Sequence, residues 1–180
     1  MVVAMNNHDQ LAALEEIAGR LRAEDIPYSL FGGWAVDFHI GRITRAHADI
    51  DIAVWAHDQP RLAALLIATT WRHRPDPDED GYTCYQRGNL RLEVAFIARD
   101  AEGQIYTPLR SGRGEWPSDS FGDAVGQVEG VRARVVSLAS LLADKSVPRA
   151  DPTTREKDRA DVASLRQRSE ATVPPQPNER

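Results

Sequence analysis

The stretch from Phe31 to Trp55 reads FGGWAVDFHIGRITRAHADIDIAVW, and its closing half most constrains the fold. In Asp49-Ile50-Asp51-Ile52 carboxylates alternate with apolar side chains. Alternate residues of a strand share a face, so Asp49 and Asp51 point one way while Ile50 and Ile52 point the other, into a core. Two like charges this close repel, and at least one pKa rises unless positive charge stands between them. A solvent-facing edge strand with ordinary charges fits the alternation equally well. What tips the reading toward a site is the upstream context, Gly32-Gly33 and Arg45-Ala46-His47.

The flanking pattern predicts a mixed α/β domain. Asn7 with Gln10 resembles a helix start, and Leu11, Leu14, Ile17 and Leu21 recur at helical spacing up to about Glu24. Residues 28–31 form a short strand broken by Gly32-Gly33; Trp34 to Ile40 is a short helix stopped at Gly41. A strand covers Asp49 to Trp55. Pro60 occupies a first helical position ahead of Leu62, Leu65 and Leu66. After the polar stretch RPDPDEDG, the segments GYTCYQ and LRLEVAFI flank the turn RGN as a β-hairpin. Residues 100–126, rich in Gly, Pro, Ser and Asp, read as a long, partly irregular excursion carrying Tyr106, Trp116 and Phe121. Val131 to Val136 is a last strand. Ser137 caps a helix over 138–146, and Thr153 or Thr154 opens another through about Arg168. Three segments are expected: a core domain over 1–136, a helical segment over 137–168 and a disordered tail over 169–180.

The bulk chemistry removes whole classes of partner. Among 180 residues, 42% are hydrophobic, enough for a core, and the formal net charge is −5. A general nucleic-acid or anionic-membrane binder needs a basic face, which this balance disfavours. Cys84 is the single cysteine, so no intrachain disulfide forms; a buried thiol is favoured over a nucleophile. No apolar run approaches the ~20 residues that span a bilayer, and the start has no signal-peptide pattern. The expectation is a soluble, cytoplasmic protein.

Three features converge on a site. Gly32-Gly33 follows a strand and opens a helix, where bare backbone N–H groups can approach a phosphate, although a plain turn is the alternative. Asp49 and Asp51 share a face on the next strand. Glu93 sits inside the apolar run Leu92 to Ile97, where a core strand would carry no charge, unless it simply faces outward. Buried carboxylates cost several kcal/mol each unless paired or on a metal. No lysine lies near them in sequence, so a divalent cation is the economical partner, and hard oxygen ligands beside phosphate favour Mg²⁺. Arg45 either contacts phosphates or pairs with Asp49 or Asp37. His47 orients a carboxylate, caps the loop, or serves as ligand or base. Asp37 reads as structural, paired with Arg42, and Trp34 as a packed wall.

Taken together, GGWAVDFHIGRITRAHADIDIAV, the later Leu92-Glu93-Val94 and REKDRADVASL resemble the nucleotidyltransferase superfamily related to DNA polymerase β. The strong resemblance covers about residues 28–56 and is closest to the small enzymes that modify lincosamides and the aminoglycoside 2″-hydroxyl. It implies a nucleotidyltransferase-type mixed sheet flanked by helices with a short helical C-terminal segment. It further implies that Asp49 and Asp51 hold Mg²⁺ on a nucleoside triphosphate, ATP or another, and that Glu93 completes the metal site or acts as general base. Gly32, Gly33, Arg45 and Lys145 become nucleotide-binding candidates. Trp34 stands where many superfamily members have a serine on phosphate, as in the lincosamide-type subgroup. The implied function is transfer of a nucleoside monophosphate, AMP first, to a hydroxyl of a small antibiotic-like acceptor. The acidic residues Glu115, Asp119 and Asp123 suit a cationic acceptor, Tyr106, Trp116 and Phe121 line its pocket or form local core, and a homodimer would complete a short chain. The helix bearing Asp158 and Asp161 reads as a solvated face. The rival from another class is a minimal nucleotidyltransferase antitoxin that binds or AMPylates a partner toxin.

Overall fold

A computed structural model describes residues 6–75 and 80–172. In chain order the elements are α1 (Asn7–Ala23), β1 (Tyr28–Phe31), α2 (Gly32–Ile40), β2 (Ile50–Trp55), α3 (Gln59–Ala68), β3 (Arg72–His73), β4 (Tyr82–Arg87) and β5 (Leu90–Arg99). They continue as β6 (Ile105–Leu109), β7 (Gly112–Glu115), β8 (Val125–Val128), β9 (Val131–Arg134), α4 (Leu138–Lys145) and α5 (Pro152–Thr172). The main sheet has the order β1-β2-β5-β4-β3, with β6 continuing from β5 and β7 beside β6. Only the central pair β2–β5 is parallel; the other pairs are antiparallel.

That central pair is where the sequence is most apolar. Ile50, Ile52, Ala53 and Val54 of β2 and Leu92, Val94, Ala95 and Ile97 of β5 are all buried, as a strand covered on both faces requires. Helix α2 is buried along most of its length through Trp34, Ala35, Val36, Asp37 and Phe38, which explains its lack of a polar stripe. Gly41 closes it in the left-handed region at φ +90°. The β8–β9 hairpin packs against α2 and joins the sheet where Val136 N–H donates to Leu30 C=O at 2.9 Å. Gly126 is needed there, because a Cβ would lie 2.5 Å from the Phe38 carbonyl oxygen. Leu141 of α4 and Leu165 of α5 belong to the same hydrophobic cluster as Leu14, Trp34 and Leu92.

Several expectations shift. The excursion over residues 100–126 contains the β6–β7 hairpin and the start of β8. Pro108 does not obstruct β6, because only Ile105 and Tyr106 pair with β5. The cap of α1 is Asn6, whose side chain accepts from His8 N–H, and Asn7 and Gln10 have other partners. Asp151, not a threonine, opens α5 by accepting from both the N–H and the hydroxyl of Thr154 at 2.7 Å. Helix α5 runs on to Thr172; the part of the expected disordered tail over 173–180, like part of RPDPDEDG, lies outside the described residues. Cys84 is buried, as expected. No helix among the described residues is long and apolar enough to cross a membrane.

Candidate active site

Register brings the carboxylates together. In the parallel β2–β5 ladder Asp51 lies opposite Glu93, and Asp49 precedes β2 on the same side. One oxygen from each of Asp49, Asp51 and Glu93 lies within 4.8 Å of the others. Burial, then the charges of Asp49 and Glu93, push the Asp51 carboxyl well above the usual range, while Lys145 pulls the other way. All three residues are half-buried, so the cluster opens to solvent on one side.

The glycine turn is shaped around these side chains. Phe31 lies opposite Asp51 in the β1–β2 ladder, and α2 begins one residue later with no side-chain cap. Gly32 has φ +64°, and a Cβ on it would stand 2.1 Å from Asp51 Oδ2. A Cβ on Gly33 would stand 2.6 Å from both Arg45 Nη2 and His47 Nδ1. The pair therefore admits an acid on one side and a base-bearing loop on the other, against the open N-terminus of α2.

The loop after α2 is fixed from two directions. Asn7 Nδ2 donates to the Arg45 carbonyl at 2.7 Å, and His47 N–H donates to Asn7 Oδ1 at 3.1 Å. Gln10 accepts from Trp34 Nε1 at 2.8 Å and donates to the His47 carbonyl at 3.0 Å. Asp37 accepts from the Thr44 N–H and hydroxyl and sits 2.6 Å from His47 Nε2. Arg45 Nη1 lies 3.2 Å from His47 Nδ1. A guanidinium only donates, so Nδ1 accepts and the proton stands on Nε2, facing Asp37. His47 thus orients a carboxylate, and its ring packs on Trp34 with centroids 4.6 Å apart. The expected Asp37–Arg42 pair is replaced by Asp37–His47 and Asp37–Thr44.

Cations surround the acids. Arg91 Nε and Nη2 lie 2.8 and 2.7 Å from Glu93 Oε1, two residues apart on one face of β5. Arg45 presents Nε and Nη2 to the two oxygens of Asp161 at 3.2 and 3.1 Å. Lys145 Nζ reaches Asp158 at 2.9 Å and Asp161 at 3.2 Å, and Arg149 joins Asp158 at 3.3 Å. Burial works against the charge on Lys145, but these carboxylates outweigh it and hold the ammonium above its usual value. The helix face expected to be solvated is therefore buried: the side chains of Asp158 and Asp161 are 7% and 3% exposed. Arg45 takes neither of its expected carboxylate partners and pairs instead across the chain. Trp116 and Phe121 form an aromatic cluster with Phe31 and Trp55, local core beside the glycine turn, while Arg113 covers Tyr106.

Arg91 drew no role from the sequence, Gln10 only a place at a helix start, and Asp158 and Asp161 only a solvated face. The signals were present: Gln10 lies on the apolar stripe with Leu14, Ile17 and Leu21, and Asp158 and Asp161 lie on the helix face of Leu165.

A family model described as aminoglycoside-2″-adenylyltransferase matches residues 13–165. A 2″-aminoglycoside nucleotidyltransferase of Klebsiella pneumoniae is 32% identical over 57 residues, and one of Escherichia coli matches equally. That match spans 32% of this chain and 32% of the relative's own length. The lincomycin-bound crystal structure of lincosamide antibiotic adenylyltransferase LnuA superposes with TM-score 0.68 at 21% identity, covering 85% of this chain and 94% of that one. The crystal structure of ANT(2″)-Ia with adenylyl-2″-tobramycin gives 0.64 at 22%, covering 89% and 99%. At these identities the two structures show the shared fold.

Proposed function

The chain belongs to the aminoglycoside-2″-adenylyltransferase family, and from this premise we propose that it transfers a nucleoside monophosphate, AMP, from a triphosphate to a hydroxyl of an aminoglycoside- or lincosamide-type molecule. The observation that carries the reading is the convergence of Asp49, Asp51 and Glu93 beside the Gly32-Gly33 turn.

The donor set fits Mg²⁺: three carboxylates offer hard oxygens within 4.8 Å, and burial with the charges of Asp49 and Glu93 raises the Asp51 pKa, a penalty that a bound cation would relieve. Asp49 and Asp51 would hold the ion, which supplies charge neutralisation at the phosphates. The N-terminus of α2, free of a side-chain cap, offers backbone N–H groups to an anion. Arg45 and Lys145 add positive charge on the same side. The acceptor oxygen attacks the α-phosphorus, the bond to the β-phosphate oxygen breaks, and pyrophosphate leaves. Glu93 either takes the acceptor proton, which requires ~2.6–3.2 Å between the heavy atoms, or completes the metal set. The acidic Glu115, Asp119 and Asp123 lie exposed and favour a cationic acceptor; a second subunit would extend the acceptor surface.

The test is incubation of the full chain with each nucleoside triphosphate, Mg²⁺ and a panel of aminoglycosides and lincosamides, read by mass spectrometry. A nucleotide-monophosphate adduct on a drug is expected, with ATP the preferred donor. Asp51→Asn should cut the rate by about 10²–10³-fold or more, the scale of losing a charge-stabilising group. Glu93→Gln separates its two roles: a base loses rate with metal affinity kept, a ligand loses both. Absence of any adduct, with a tight protein partner instead, would return the antitoxin reading.

A further inference from the structure

Two buried carboxylates on the last helix, Asp158 and Asp161, grip Arg45 and Lys145. Asp161 is the hub. Its two oxygens meet Arg45 through Nε and Nη2, and Oδ2 also lies 3.2 Å from Lys145 Nζ. Arg45 belongs to the loop between α2 and β2, Lys145 to the last turn of α4, and Asp161 to α5, so one carboxylate joins three separate segments. Asp49 and Asp37 help hold Arg45 charged, and Lys145 counters the raised pKa of Asp51. Arg45 also lies against Gly33, at the start of α2. Without a fixed anion behind them, two long cationic side chains would each lose rotamer freedom when a ligand ordered them, and that loss weakens binding.

We propose that Asp161 is a positioning residue that pre-sets Arg45 and Lys145 as a paired cationic clamp for the nucleotide triphosphate. The role rests on the nucleotidyltransferase reading. Asp158 supports it from behind, holding Lys145 at 2.9 Å while being held itself by Arg149. Asp161 touches neither nucleotide nor acceptor; it acts through the two cations. A purely structural ion pair would stabilise the fold and leave nucleotide affinity alone.

The experiment measures Mg·ATP affinity of the full chain by calorimetry for wild type, Asp161→Asn, Lys145→Gln and the double variant, with circular dichroism confirming the fold. Asp161→Asn is expected to weaken binding ~10-fold or more, a loss of the size expected when a charged pair is broken. In the Lys145→Gln background the same substitution should add less than about half of that effect on a logarithmic scale, because the shared partner is gone. Wild-type binding with unchanged affinity in Asp161→Asn overturns the proposal, as does full additivity with Lys145→Gln. Wild type that binds no nucleoside triphosphate overturns the nucleotidyltransferase reading itself, a result distinct from either. Should Asp161→Asn fail to fold, Arg45→Gln and Lys145→Gln keep Asp161 and remove one jaw each; affinity unchanged in both overturns the clamp.

Discussion

At the scale of single residues, Asp51 carries the tension of the site. Burial and two neighbouring carboxylates raise its pKa, so in the folded protein without metal ionising this carboxyl is unfavourable. The unfolded chain releases that proton near the ordinary value of about 3.9. Between that value and the raised one, the folded state binds more protons than the unfolded state, so stability falls as pH rises through the window. Subtracting the pH dependence of Asp51→Asn from that of wild type should isolate this slope in thermal melts. Millimolar Mg²⁺ should flatten it, because a cation at the cluster removes the reason for the proton. The alternation of Asp49 and Asp51 made this site legible in the sequence, and the shared face is what the strand delivers. Two details were not legible. Gly32 is required by Asp51 Oδ2 itself, and Glu93 has Arg91 as a partner; both depend on how β1, β2 and β5 align.

At the scale of elements, the loop between α2 and β2 has no regular structure, yet it holds Arg45 and His47 in place. The first turns of α1 do this work through Asn7 and Gln10. Gln10 is fully buried and satisfies both the Trp34 indole and the His47 carbonyl. Gln10→Leu keeps the volume but orphans a donor and an acceptor, each costing about 1–3 kcal/mol when buried. Chemical denaturation should show a loss of about 2–6 kcal/mol, with a larger loss of activity than Leu14→Val produces at equal stability, since only the former frees the loop. The helices were readable because apolar spacing is a local signal, although the caps of α1 and α5 lie one to three residues before those expected. The strands of residues 105–115 were not, since Gly, Pro and charged side chains dominate a hairpin whose few inward residues, Ile105 and Thr107, are set by the sheet they join. Asp158 and Asp161 were misread for a related reason: charge on a helix is ordinarily solvated, and only tertiary contacts from Arg45, Lys145 and Arg149 override that.

At the scale of the whole molecule, the division expected from the sequence between residues 1–136 and 137–168 has a consequence that unfolding can test. If the last two helices were an appendage, they would melt separately from the sheet. The contacts argue for the opposite. Leu141 and Leu165 lie in the main apolar cluster, and Asp161 binds Arg45, which is itself pinned by α1. Lifting α5 away would leave Lys145 and Arg45 without their buried acceptors, and removing one partner of a buried pair costs about 3–5 kcal/mol. Two such losses, added to the exposure of Leu165, approach the ~5–15 kcal/mol that stabilises a typical domain. Tryptophan fluorescence from buried Trp34 and Trp71 and a dye placed on α5 at Arg159, an exposed position, should therefore report one coincident transition in denaturant. An earlier transition at the dye alone would show that the helices detach first, and the buried ion network would then be too weak to hold Arg45 and Lys145 at the acidic cluster.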